Sequence, residues 1–164
     1  MDKNKTLKEA KSLREDDQLE ESNELLLSLA AEFPDDPQVL FEVGGSYDLL
    51  GLADDAIPYY RRAIDEGLDG SDLQECYICF GICQRAVGDF EEALDTLEEA
   101  AAQFEEDNAV KAFLALAMYS NGNYSEAFRQ LLEVMIETSN DPDVQTYSDT
   151  LEFYKDNLDE VWET

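Results

Sequence analysis

Cys76, Cys79 and Cys83 are the only thiols in the chain, spaced i, i+3 and i+7, so on a helix they would share one face. Three thiolates so placed could hold a soft metal if a fourth ligand such as Glu75 joined them, or act together as a redox sensor. Two considerations favour a packing role instead. Zinc sites usually place each ligand pair on a turn, and the chain has no second Cys pair and no histidine. The face carrying the three thiols is also expected to meet a neighbouring helix, where cysteine acts as a small hydrophobe. An odd number of cysteines crowded into residues 76–83 makes no disulfide framework and suits a reducing, cytoplasmic setting.

The missing histidine also removes Ser-His and Cys-His nucleophile pairs and the commonest general base. Carboxylates are abundant but fall in runs such as Glu91-Glu92 and Glu98-Glu99, on faces expected to be solvated. An acid–base pair needs one carboxyl in a drier pocket, and nothing in the pattern supplies one. The stretch Asp65 to Asp72 resembles a calcium loop at Asp65, Asp69 and Gly70, but Gly67 replaces a ligand and Cys76 the closing glutamate. No enzyme, cofactor or metal site is therefore expected.

Forty acids against eleven bases give a net charge of -29, a field that repels nucleic acid and anionic membranes and favours a basic protein surface. The bases are uneven: Lys3, Lys5, Lys8, Lys11 and Arg14 lie in the first fourteen residues. No apolar run approaches the roughly 20 residues needed to cross a bilayer, and the N-terminus lacks the apolar core of a signal peptide.

Three segments carry one pattern: Val43-Gly44 to Gly51 to Ala56, Phe80-Gly81 to Gly88 to Ala93, and Leu114-Ala115 to Gly122 to Ala127. Gly88 to Gly122 is a step of 34; Gly51 to Gly88 is 37, which places about three extra residues in the loop around Asp69-Gly70-Ser71. One further step back the columns continue as Ala10, Leu13, Leu19, Ser22, Leu26, Leu29 and Pro34. Two helices per repeat fit this spacing. Small residues (Ala10, Gly44, Gly81, Ala115) let the first helix approach the second closely, where Ser22, Ala56, Ala93 and Ala127 answer them. Leu26, Tyr60, Leu97 and Leu131 then fill the interior at helical spacing. Gly51, Gly88 and Gly122 sit where the first helix must end in a left-handed residue. Pro58 falls inside a second helix, where it removes a backbone bond and is expected to kink it.

These columns resemble the tetratricopeptide repeat. The resemblance implies an all-α, right-handed solenoid forming a single domain over 1–164, with hairpins near 3–36, 37–70, 74–107 and 108–141. Gly-Asp-Phe-Glu-Glu-Ala at 88–93 and Gly-Asn-Tyr-Ser-Glu-Ala at 122–127 match most closely. Residues 142–164 leave the pattern: Val144, Tyr147, Leu151, Tyr154, Leu158 and Val161 or Trp162 form one apolar stripe. That predicts a single helix capping the open end of the stack. The ending is similar to that of a small group of uncharacterised bacterial repeat proteins, which implies a cytoplasmic and potentially dimeric chain.

In the family the first helix of each hairpin lines a concave groove that binds peptides. Mapped onto this sequence, the groove comprises Leu7, Lys11 and Arg14; Phe41, Gly45 and Asp48; Ile78, Ile82 and Arg85; and Ala112, Leu116 and Tyr119. Three bases among large apolar residues predict a site for an acidic, amphipathic protein segment. The places where chaperone-tail binders clamp a carboxylate read Leu7, Lys11, Glu42, Glu75 and Cys79, and Glu75 would repel that ligand. The expected role is a protein-binding adaptor. The alternatives are a homodimer joined through the groove or the helix ending at Trp162, and a thiol-based metal or redox sensor.

Overall fold

The computed structural model describes residues 1–161; Trp162, placed above in a dimer seam, lies outside them. Ten helices and no strands occur among the described residues. Eight of them form four hairpins: α1 (Lys3–Glu15) with α2 (Leu19–Glu32), α3 (Pro37–Leu49) with α4 (Ala53–Asp65), α5 (Gly70–Val87) with α6 (Phe90–Gln103), and α7 (Asn108–Ser120) with α8 (Tyr124–Thr138). Each helix packs on the next, and the first helices of successive hairpins also touch from α3 to α5 and from α5 to α7. None of these helices is long and apolar enough to cross a membrane.

Local chemistry sets the helix ends. The carboxylates of Asp2, Asp36 and Asp107 accept from the backbone N–H of Lys5, Val39 and Val110 at 3.0, 3.1 and 2.8 Å, capping α1, α3 and α7. At the hairpin corners Gly51, Gly88 and Gly122 take φ of 74°, 92° and 80°. The first hairpin lacks the glycine, and Asp17 adopts φ 61° in its place.

Close approach of paired helices follows from the small residues. A Cβ on Gly44 would stand 2.8 Å from the Tyr60 ring, and one on Gly81 2.7 Å from Leu97 Cγ. Hairpin one uses another device: the hydroxyl of buried Ser22 donates to the Ala10 carbonyl at 2.9 Å. Leu26, Leu29, Tyr60 and Leu97 are buried in the cores that result.

Two expectations are corrected. The extra residues near Asp69-Gly70-Ser71 do not lengthen a loop; α5 absorbs them, starting at Gly70 and running 18 residues against 13 for α3 and α7. Pro58 does lie inside the second helix of its hairpin, α4 (Ala53–Asp65), as the sequence indicates. The single capping helix over 142–164 is replaced by two short ones, α9 (Pro142–Thr146) and α10 (Ser148–Lys155). Tyr147 N–H bonds Val144 rather than the carbonyl four residues back, which breaks the ladder and the stripe with it. At the far end the Asn157 side-chain amide donates to the Phe153 carbonyl at 2.6 Å, taking the acceptor that a continuing helix needs. Tyr147 and Val161, expected to face inward, are consequently exposed.

Candidate functional site

The inner surface is built by α1, α3, α5 and α7, and its N-terminal half forms a cleft of about 400 Å³. Lys11, Arg14, Phe41, Gly45 and Asp48, all expected there, line it together with Glu42, Leu49, Tyr60, Asp72, Glu75 and Cys79. Phe41 is buried and its ring lies 6.2 Å from that of Tyr60, tilted 44°. The two rings form an aromatic floor under a polar rim.

That rim is acidic on balance. Lys11 and Arg14 face Glu42, Asp48, Asp72 and Glu75, and Arg14 is already engaged by Glu42 at 2.6 Å. The expectation of a locally basic groove suited to an acidic segment is thus overturned in this half. Glu42, Asp72 and Glu75 lie beside the column assigned to the groove, on the flanks that turn towards the neighbouring helix. Glu42 and Glu75 occupy places already noted for the carboxylate clamp, and Asp72 is the acid that the sequence did not single out.

The remaining expected residues lie apart from this cleft. Leu7 packs against the N-terminal core and Ile78 against the core between α5 and α7, so both contribute more to packing than to contact. Ile82, Leu116 and Tyr119 are exposed. Arg85 Nε donates to Ser120 Oγ at 2.7 Å, tying α5 to α7. The Tyr119 ring meets Tyr124 edge-on at 5.0 Å, which carries the apolar strip from α7 onto α8. The carboxylates of α6 at Glu91, Glu92, Glu98 and Glu99 are exposed, as expected of a solvated outer helix.

Cys76 and Cys83 are buried and Cys79 half-buried on α5. Cys76 Sγ donates to the Tyr60 carbonyl at 3.6 Å. Burial foremost, then the neighbouring Cys79, raises the Cys76 thiol; burial and then Asp48 push Cys79 up to about 11 and Cys83 to about 12. Protonated thiols are poor nucleophiles and poor metal ligands. Among the described residues no group of three or more Cys, Asp or Glu side chains is arranged to hold a metal ion. Alkylation by iodoacetamide checks this. With its pKa near 11, Cys79 is only about 0.1% thiolate at pH 8, against roughly a quarter for a free thiol of pKa 8.5. Labelling of the native protein at pH 8 should be at least about a hundredfold slower than after unfolding; equal rates would contradict the burial.

Stacked helix hairpins with a concave inner face define an α-solenoid repeat protein. A model described as tetratrico peptide repeat matches residues 37–158, and the chain belongs to that family. None of the curated proteins matches the sequence. Solved structures resemble it in fold. MamA (residues 41 to the end) from Desulfovibrio magneticus RS-1 superposes with a TM-score of 0.74 at 16% identity, over 96% of this chain and 88% of that one. YrrB, described as a repeat protein with an unusual peptide-binding site, gives 0.71 at 16% identity over 94% and 78%. A chain of the APC/C hetero-tetramer Cut9-Hcn1 gives 0.71 at 19% identity over 89% and 29%.

Proposed function

We propose that this chain is a non-catalytic adaptor whose concave face holds a segment of another protein. The carrying observation is Ile82, Leu116 and Tyr119, large apolar side chains left in water on the inner helices, apart from the cleft floored by Phe41 and Tyr60. A protein of net charge -29 has ample polar surface, so exposed apolar residues gathered on one face mark a contact site. The peptide-binding site named for YrrB supports the same use of the fold. With four carboxylates against two bases around the cleft, the segment that fits carries apolar anchors and basic flanks. The reducing cytoplasm, where the thiols stay free, is the proposed location. Pairing with a second copy through the same strip is the alternative, and light scattering on purified protein separates it by mass.

Ile82→Glu tests the assignment. The site is exposed, so the helical circular dichroism should be unchanged while capture of the partner from an extract of the native cells is lost. Undiminished capture would place the site elsewhere.

A further inference from the structure

The second helix of each hairpin carries a large residue at one equivalent position: Leu26, Tyr60, Leu97 and Leu131. Its exposure is 0%, 1% and 2% in the first three hairpins and 42% in the fourth. The difference has a structural cause. α2, α4 and α6 are each covered by the first helix of the following hairpin, whereas among the described residues α8 is followed by the two short helices. α10 sits to one side of α8, held by Lys155–Glu133 at 3.9 Å and Arg129–Asp156 at 3.8 Å. Tyr124, Phe128, Leu131 and Met135 recur along one stripe of α8, and all four are exposed.

We propose that this exposed stripe of α8 is a docking surface for a basic amphipathic helix of another protein, which takes on α8 the place that the first helix of the next hairpin takes on α2, α4 and α6. The fold itself supplies the shape, since in the other three hairpins a helix covers the same position. Charge supplies the chemistry. Residues 120–161 hold ten carboxylates and two bases, and both bases are occupied: Arg129 by Glu126 and Asp156, Lys155 by Glu133 and Glu152. A helix with an apolar face and flanking lysines buries the stripe and sets its ammonium groups among the surplus carboxylates. A second copy of this chain does not meet that description. Its most basic helix is α1, whose Leu7 and Ala10 turn into their own core while its exposed positions are Asn4, Lys5, Lys8, Glu9, Lys11, Ser12 and Glu15, none of them apolar. Two C-terminal ends brought together would set like charge against like.

A synthetic peptide of about 15 residues, the length of the stack's own helices, with Leu at i, i+3, i+4 and i+7 and Lys between, serves as the probe. Its fluorescein-labelled form should bind the full-length protein, more weakly as salt rises. Measured in the Ile82→Glu background, so that the inner strip does not hold the same probe, affinity should fall about tenfold or more on adding Phe128→Glu or Met135→Glu. Phe128 and Met135 are both exposed, and circular dichroism confirms that each variant is folded. Equal binding in that background with and without the α8 substitutions would overturn the proposal. So would a wild-type dimer that Phe128→Glu converts to monomer, because a second copy would then be the occupant. Loss of partner capture by Ile82→Glu speaks to the inner strip and peptide binding to the α8 stripe, so the two readings fail separately.

Discussion

Tyr60→Ala should lower the stability of the chain by about 3–5 kcal/mol, the range for truncating a buried aromatic. Tyr60 is 1% exposed, lies against Gly44 and Phe41, and has its own carbonyl engaged by the Cys76 thiol. It therefore joins the second hairpin to the third as well as closing its own. With total stabilities of small domains near 5–15 kcal/mol, the loss would be a large share, visible as a fall in the urea midpoint followed by circular dichroism. Tyr60→Phe supplies the contrast. Its hydroxyl reaches Asp48 only at 3.4 Å, so removing it should cost less than about 1 kcal/mol. A cost below about 1 kcal/mol for the alanine variant would show that the hairpins do not share this core.

Gly81→Val is the second large effect. An added Cβ would meet Leu97 Cγ at 2.7 Å, and valine adds two methyl groups that the paired helices cannot move aside together. Overpacking of about 1–3 kcal/mol outweighs the gain of up to about 1 kcal/mol from removing a mid-helix glycine, and valine belongs at the upper end. Gly81→Ala should cost less, and combining it with Leu97→Ala should cost less than the sum of the two, because the contact that Gly81 relieves is then gone. Strict additivity would refute the close-approach account.

Most of the fold was legible because its determinants are local and repeated. The glycines at 51, 88 and 122, the small residues at 44 and 81, and the large ones at 60 and 97 each state one geometric need, and the structure meets each need where it recurs. Asp17 shows the limit of a residue code: the backbone turns left-handed there without the glycine. The lining of the cleft was legible in part, and its charge was not. Lys11, Arg14, Phe41 and Asp48 do meet in one cleft. Whether Arg14 is free depends on Glu42, which reaches it across the gap between α1 and α3, a distance that no sequence column encodes. The end of the chain was misjudged for a similar reason. An apolar stripe at helical spacing predicts one helix only if the backbone ladder is continuous, and it is broken at Tyr147.

The central claim is that the inner face, at Ile82 and its neighbours, holds the partner segment. The direct measurement is the affinity of the captured partner for two variants side by side, Ile82→Glu on the inner helix α5 and Glu98→Lys on the outer helix α6. The account predicts a loss of about a hundredfold or more for the first and a change within about threefold for the second. Full affinity in Ile82→Glu with loss in Glu98→Lys would contradict it and move the site to the acidic outer face.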